Sequence, residues 1–315
     1  MTMSRSWPRL RFSLIQRLAC VAIGASLLVG ACVGTSNERP AAGGVLDVVT
    51  STTVFADLVA QVGGDALTVT SLVPKGGVVE TFDPTPSDLR AVAAADLIVM
   101  NGLGLDDWLQ PVIEDSGSTA PIVVLAPDLP GVEYQTNENP DEPQNPHLWL
   151  DVGYAIKYVD RITDALIAAA PAGAEQFRAS AATYRERLGA LDTEIRTRIG
   201  AIPEADRLIV SFHEAFPYFA AAYGLTIVGT IVDAPGQDPS AGEIATLVAA
   251  IRASGAKAVF GEAQFSPDLV QTVADEANVV VETDLYNDSL GEPPVDTYEG
   301  LIRWDVDRVV EALGG

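Results

Sequence analysis

Short runs of β-branched and other apolar residues alternate along the chain with longer stretches of helical periodicity. Four strand candidates precede a central gap and four follow it, at 45–51, 67–73, 97–100, 122–125, 208–212, 225–231, 257–261 and 279–282. Strands that alternate with helices are typical of parallel sheets whose faces are covered by helices. The pattern therefore predicts an α/β protein with two lobes, each with a parallel four-stranded sheet flanked by helices.

The gap between the two sets of strands holds the longest helical pattern in the chain. From 174 to 199 an apolar stripe follows one face of a single helix, at Phe177, Tyr184, Leu188, Leu191, Ile195 and Ile199. A helix of that length spans roughly 40 Å. We predict a rigid strut that joins the two lobes, with a coiled-coil dimerisation helix as the alternative. The predicted boundaries are 45–173 for the N-terminal lobe, 174–200 for the linking helix and 201–315 for the C-terminal lobe.

Three helix starts carry specific sequence signals. Thr85 and Ser240 each begin a capping-box pattern, in which a Ser or Thr is followed three residues later by an acidic residue. The Ser266-Pro267 pair places a proline at the predicted first helical position.

The first 31 residues have the features of a secretory signal peptide. Four arginines and no acidic residue precede an apolar run, 18–31, which is too short to anchor the chain across a bilayer. The sequence LVGAC at 28–32 resembles a bacterial lipobox, so Cys32 is predicted to be the lipidated first residue of the mature protein. An ordinary cleavage site with an incidental cysteine is the alternative. Residues 32–44 are small and polar and are predicted to form a flexible tether.

Charge and cysteine content narrow the possible partners. The chain carries 19 basic and 43 acidic residues, for a net charge of −24, and loss of the leader makes it more acidic still. This charge argues against nucleic acid and against an anionic membrane surface as partners. Because Cys20 and Cys32 are the only cysteines, the mature protein has no internal disulfide and no thiolate metal site.

The chain contains only two histidines, His147 and His213, one in each predicted lobe. Neutral imidazole is the commonest protein ligand for transition metals. In open α/β sheets ligands bind beyond the carboxyl ends of the strands, and four loops in such positions carry donors. These donors are Glu80 and Asp83, His147, His213, and Asp284 and Asp288. We therefore predict one metal ion in the cleft between the lobes.

Six segments of the chain resemble the zinc- and manganese-binding solute receptors of bacterial ABC importers, a family of lipoproteins. They are VVTSTTVFADLVAQVGGDALTVTSLVP, TFDPTPSDLRAVAAADLIVMNGLGLDDWL, NPHLWLDV, SFHEAFPYFAAAYGL, VFGEAQFSP and YNDSLG. The similarity extends over essentially the whole mature chain. It implies two four-stranded α/β lobes joined by one long helix, in agreement with the periodicity.

The resemblance also implies a set of ligands. His147 and His213 match the family's second and third ligand positions, and Asp288 matches the fourth, with Asp284 as a competitor. The first position is usually a histidine, but in VETFDP it holds Glu80. Either Glu80 replaces the imidazole as an oxygen donor, which we expect, or water does.

Four other acidic residues near these motifs are not expected to bind the metal. The resemblance places Asp83 on a family acid that is not normally a ligand. Glu214, Glu243 and Glu262 are expected at the surface or behind the ligands.

Capture of a metal without chemistry is the function that the resemblance implies. The protein would be an extracytoplasmic monomer that binds one Zn²⁺ or Mn²⁺ ion and delivers it to an ABC permease driven by an ATPase. Zn²⁺ is slightly favoured because proteins generally bind it more tightly than Mn²⁺. Two alternatives remain. The first is a secreted zinc hydrolase, which would need a three-ligand site with room for water. Such a site would exist if Glu80 were not a ligand. The second is a surface adhesin.

Overall fold

The structure is a computed structural model that describes residues 45–136 and 144–314. The predicted signal peptide, the tether and Cys32 lie outside the described residues, as does part of the loop before His147. Within the described residues no helix combines the length and the apolar character needed to cross a membrane.

The first sheet is parallel and four-stranded, with the strand order β2-β1-β3-β4. Its strands are β1 (Leu46–Thr50), β2 (Leu67–Ser71), β3 (Leu97–Met100) and β4 (Ile122–Val124). Its helices are α1 (Thr53–Gly63), α2 (Pro86–Ala94), α3 (Leu109–Ser116) and α4 (Val152–Ala169). We refer to β1 through α4 as the N-terminal half.

One long helix, α5 (Ala174–Gly200), follows the N-terminal half, as predicted. All six apolar residues of its predicted stripe are buried, together with Ala181. The helix packs against α1 and α4, so the stripe is covered within this chain rather than left for a coiled-coil partner.

The second sheet repeats the first, with the strand order β6-β5-β7-β8 and parallel pairing throughout. Its strands are β5 (Leu208–Ser211), β6 (Thr226–Thr230), β7 (Ala258–Glu262) and β8 (Val280–Leu285). Its helices are α6 (Pro217–Tyr223), α7 (Ala241–Ser254), α8 (Asp268–Ala277) and α9 (Tyr298–Gly314). We refer to β5 through α9 as the C-terminal half. The prediction of two parallel four-stranded sheets joined by a long helix is confirmed.

Among the described residues, the buried apolar side chains form three clusters. The largest, which we call the shared core, is continuous across both halves and includes Trp149, Leu188 and Leu301. A second cluster lies under α2 and α3 of the N-terminal half, and a third lies under α7 and α8 of the C-terminal half. The exact lobe boundaries, at 173 and 200, remain predictions.

The helix starts follow their sequence signals with one difference. Thr85 and Ser240 both form complete capping boxes, with Asp88 and Glu243 as the reciprocal partners. Helix α8 begins one residue later than predicted, at Asp268, so Pro267 occupies the capping position instead of the first turn. Strand β8 extends three residues beyond its predicted end, which places Asp284 inside the strand.

Candidate metal centre

Four side chains from four separate loops meet between the two halves. They are Glu80, His147, His213 and Asp288, and each offers a ligand atom within 4.8 Å of the others. These are the four residues that the sequence singled out. His147, His213 and Asp288 are buried, and Glu80 is half-buried, with its side chain 20% exposed.

The spacing of these atoms suits a single ion. The two Nε2 atoms of His147 and His213 lie 3.4 Å apart, and His147 Nε2 lies 3.4 Å from Asp288 Oδ1. Glu80 Oε1 lies 3.9 Å from His147 Nε2 and 3.7 Å from His213 Nε2. Four donors placed tetrahedrally at about 2.0–2.2 Å from an ion are about 3.3–3.6 Å apart. These four distances are equal to this spacing or slightly longer, and the other pairs of ligand atoms lie within 4.8 Å of each other.

His147 is held by the residue two positions before it. The Oδ1 atom of Asn145 accepts hydrogen bonds from both the backbone N–H and the Nδ1 atom of His147, each at 3.0 Å. Asn145 is itself fixed across the cleft, because its Nδ2 donates to the carbonyl of Glu214 at 2.5 Å. Donation from Nδ1 leaves Nε2 of His147 free to bind an ion.

His213 is held by a buried carboxylate. It directly follows β5 and Phe212, and its Nδ1 lies 2.8 Å from both Oε1 and Oε2 of Glu262, the last residue of β7. A carboxylate behind a histidine fixes the ring and makes the opposite nitrogen a stronger ligand. His213 therefore presents Nε2 to the same point as His147.

The two acidic members of the group are incompletely hydrogen-bonded. Asp288 is 1% exposed, and neither of its carboxylate oxygens has a hydrogen-bond partner among the described residues. Oε2 of Glu80 also lacks a hydrogen-bond partner among the described residues. A buried carboxylate without partners is costly, so such groups are normally paired with a cation or coordinate a metal.

Burial shifts the proton affinities of the group. Burial, together with repulsion from Asp288, raises the pKa of Glu80 to about 7, and burial raises the pKa of Asp288 to about 7. Burial lowers the pKa of His147 to about 3. Burial also acts to lower the pKa of His213, but the Glu262 carboxylate outweighs it and raises that pKa to about 9. The raised pKa values of Glu80, Asp288 and His213 all favour the protonated, less negative forms of these groups, whose protons a bound cation would displace.

The loop that carries Asp288 is attached to the N-terminal half at two further points. Gly76 donates its backbone N–H to Ser289 Oγ at 2.7 Å, and Leu290 donates its backbone N–H to Thr53 Oγ1 at 2.8 Å. Gly76 belongs to the loop that leads to Glu80. The loops that carry Asp288 and Glu80 are therefore tied to each other and to α1 by hydrogen bonds outside the two carboxylates.

A cavity of about 280 Å³ opens beside the group. Glu80 and both histidines line it, together with Leu105, Pro146, Glu214 and Asp233. This cavity brings open space next to Glu80 and both imidazole rings. The acidic residues along it favour the approach of a cation.

The remaining acidic candidates lie outside the group. Asp83 and Glu243 are exposed, and Glu243 caps α7. Asp284 lies in β8, outside the described metal-ligating group, whereas its competitor Asp288 is a member.

Sequence reasoning underestimated the residues that support the ligands. Glu262, expected with Glu214 and Glu243 either at the surface or behind the ligands, lies behind a ligand: it is 2% exposed and binds His213. Asn145 and Asn287 were not singled out. Their positions next to a ligand, in the segments NPHLW and YNDSLG, are the only signal that the sequence offers for them.

Comparison with known proteins identifies one family. The sequence model described as "Zinc-uptake complex component A periplasmic" matches residues 48–312. The manganese-binding lipoprotein MntA of Halalkalibacterium halodurans is 31% identical over 290 residues, which cover 91% of this chain and 95% of that protein. The iron-binding protein YfeA of Yersinia pestis is 32% identical over 270 residues, which cover 85% and 86%.

Solved structures show the same similarity. The periplasmic zinc-binding protein TroA of Treponema pallidum aligns with a TM-score of 0.79 at 25% identity, covering 86% of this chain and 99% of that one. The Mn-bound periplasmic metal-binding protein from Candidatus Liberibacter asiaticus aligns with a TM-score of 0.77 at 25% identity, covering 85% and 99%.

Proposed function

Since this chain belongs to the family of periplasmic zinc-uptake components, we propose that it is an extracytoplasmic receptor that binds one divalent transition-metal ion as transported cargo. The ligands are Glu80, His147, His213 and Asp288. One observation carries the proposal: Asp288 is fully enclosed, its two oxygens lack hydrogen-bond partners among the described residues, and it faces two oriented imidazoles. Only a bound cation or a bound proton neutralises such a group.

The cargo is Zn²⁺ or Mn²⁺. Two imidazoles and two carboxylates at these distances form a closed four-residue site for Zn²⁺. The unpartnered oxygens of Asp288 and Glu80 also allow either carboxylate to bind through two atoms, which increases the number of donors and favours Mn²⁺. The residue types alone slightly favour Zn²⁺. The geometry adds support for Mn²⁺. Relatives named for manganese, iron and zinc are consistent with this mixed set of donors.

Delivery to a transporter completes the proposed role. Receptors of this family belong to ABC importers, in which a permease takes the ion and an ATPase drives uptake. We propose that this chain works as a monomer, is exported by residues 1–31 and is held at the membrane by lipid on Cys32. The lipobox-like sequence and the naming of relatives as lipoproteins support the anchor.

The two alternatives have less support. A hydrolytic zinc site needs a position left open for water, but Glu80 lies within 4 Å of both imidazoles, where it closes the fourth side. The family consists of solute-binding proteins of importers, not of enzymes. No observation favours the adhesin.

Substitution of His147 by alanine tests the proposal. We expect metal affinity to fall by more than about 100-fold, because loss of a supporting residue alone typically costs 10–100-fold. Calorimetric titration with Zn²⁺ and Mn²⁺ measures the loss, and circular dichroism checks that the fold is retained. Asp83→Ala is the matched control, since Asp83 is exposed on the loop that carries Glu80. Equal affinities for the His147→Ala variant and the unaltered chain would rule out this site.

A further inference from the structure

The side chain of Trp149 joins a ligand loop of one half to a ligand loop of the other. Trp149 follows His147 by two residues and is fully buried. Its Nε1–H donates to the backbone carbonyl of Asn287 at 2.9 Å, and Asn287 directly precedes Asp288. One hydrogen bond thus connects the backbone beside His147 to the backbone beside Asp288.

Trp149 is itself held rigidly with respect to His147. Both belong to one short turn, in which Leu148–Leu150 form a single 3-10 helical turn and Leu150 N–H donates to the His147 carbonyl at 3.3 Å. The indole packs edge-on against Phe55, with ring centroids 5.2 Å apart, and the Trp149 carbonyl accepts a hydrogen bond from Tyr298 Oη at 2.6 Å. A displacement of the indole would therefore also move His147.

Asn287 passes this restraint on to the other ligands of the C-terminal half. Its Oδ1 accepts the backbone N–H of Asp288 at 2.6 Å, and its Nδ2 donates to Glu262 Oε2 at 2.8 Å. Glu262 in turn holds Nδ1 of His213. Trp149, Asn287 and Glu262 therefore form one continuous chain behind three of the four ligands.

We propose that Trp149 is a positioning residue that sets the separation between His147 and Asp288 before the ion arrives. The inference rests on the proposed function, since it concerns the ligands of that same site. Ligands that are already at their bound separation lose little freedom on binding, which strengthens affinity and slows release. The indole is suited to this role because it is a large, rigid group with a single donor at its edge.

The test compares two tryptophan substitutions. Trp149→Phe keeps an aromatic ring against Phe55 but removes the donor to Asn287. Trp304→Phe is the matched control: Trp304 Nε1 also donates to a backbone carbonyl, that of Asp284, at 2.8 Å, but within β8 rather than in the ligand loop. Both variants lose one indole–carbonyl hydrogen bond, and only one of those bonds joins two ligand loops.

For Trp149→Phe we expect Mn²⁺ and Zn²⁺ affinity to fall about tenfold, within the range for a residue that supports a ligand. We also expect faster dissociation into a chelator and a changed visible absorption spectrum of the Co²⁺-loaded protein, because ligand geometry sets that spectrum. Trp304→Phe should leave all three unchanged. The inference is overturned if Trp149→Phe binds and releases the ion like the unaltered chain, or if Trp304→Phe shows the same losses.

A measurement on the unaltered chain keeps the inference testable if Trp149→Phe does not fold. Nuclear magnetic resonance should show that the Trp149 indole proton is protected from solvent exchange both in the metal-free protein and in the Zn²⁺-loaded protein. Zn²⁺ is used instead of Mn²⁺ because it is diamagnetic. Rapid exchange without metal would show that the bond forms only after the ion binds, which contradicts the proposal. Absence of any metal binding by the unaltered chain would instead refute the proposed function.

Discussion

At the scale of single residues, Glu80 occupies the position at which the resemblance leads us to expect a histidine. A carboxylate at this position adds negative charge and a second possible donor atom, and its Oε2 has no partner among the described residues. Imidazole offers one nitrogen and no charge, and it suits Zn²⁺, whereas carboxylate oxygens suit Mn²⁺. The identity of this one residue should therefore affect which ion the protein prefers.

Glu80→His should shift selectivity toward Zn²⁺. We expect the ratio of Zn²⁺ to Mn²⁺ affinity to rise by about tenfold, which corresponds to ~1.4 kcal/mol, because an oxygen donor is replaced by a nitrogen donor. Competition titrations with both ions measure the ratio. Asp83→His is the control, since it adds an imidazole to the same loop at an exposed position. If the ratio is the same in Glu80→His and in the unaltered chain, Glu80 does not bind the ion.

The sequence pointed to the candidate ligands, but it gave little indication of the residues that hold those ligands in place. His147 and His213 stood out because they are the only imidazoles in the chain, and the family motif pointed to Asp288. The burial of Glu262 was not predictable, because a strand-end acid in VFGEAQ looks the same whether it faces water or a histidine. Only the packing of β7 beside β5 brings Glu262 within 2.8 Å of His213 Nδ1.

At the scale of elements, the long helix α5 contains a destabilising glycine near its middle, Gly189. Gly189 lies next to the buried Leu188, and a Cβ placed on Gly189 would meet no atom within 4 Å. Glycine inside a helix costs roughly 0.5–1 kcal/mol relative to alanine because it leaves the unfolded chain more freedom. The helix therefore tolerates a larger residue at this position and would be more stable with one.

Gly189→Ala should raise the free energy of unfolding by about 0.5–1 kcal/mol, as measured by urea denaturation. Gly300→Ala, in helix α9, is the contrasting control, because a Cβ at Gly300 would clash with the carbonyl oxygen of Pro294. We expect that variant to be less stable than the unaltered chain. A loss of stability in Gly189→Ala would mean that this face of α5 is more tightly covered than the structure shows.

Element types and order followed closely from the sequence, as did both ends of α5 and β3, whereas the end of β8 did not. The α5 stripe was predictable because six apolar residues at helical spacing leave no other regular structure in which all are buried together. The end of β8 was missed because the polar residues of ETDL give no apolar signal, although the strand continues to Leu285. Pairing with β7 keeps that segment extended.

At the scale of the whole molecule, the enclosed charge makes metal binding depend on pH. The pKa values of Glu80 and Asp288 are raised to about 7, chiefly by burial, and the pKa of His213 is raised to about 9, where Glu262 outweighs burial. Raised values mean that these groups stabilise the metal-free fold at low pH and lose that contribution as the pH rises through 7 and 9. The ion needs the same groups deprotonated, so its affinity rises over the same interval.

The thermal stabilisation produced by the ion should therefore grow from pH 5.5 to pH 8.5. Each proton that the ion displaces changes affinity by about tenfold per pH unit below the relevant pKa. His147 does not oppose the trend, because its pKa is lowered to about 3 by burial and it is neutral throughout this range. Differential scanning calorimetry at a series of pH values measures the difference in melting temperature between the Zn²⁺-loaded and the metal-free protein. A difference that stays constant or becomes smaller as the pH rises would contradict the proton assignments.

The division of the core into one shared and two outer clusters determines how far the effect of a core substitution spreads. The cluster that includes Trp149 and Leu188 supports both halves at once, whereas the clusters under α2 and α3 and under α7 and α8 each serve one half. The stability effects of substitutions at distant, separately packed sites add independently of one another. Damage to one outer cluster should therefore stay within its own half, whereas damage to the shared core should reach both halves and the ion site between them.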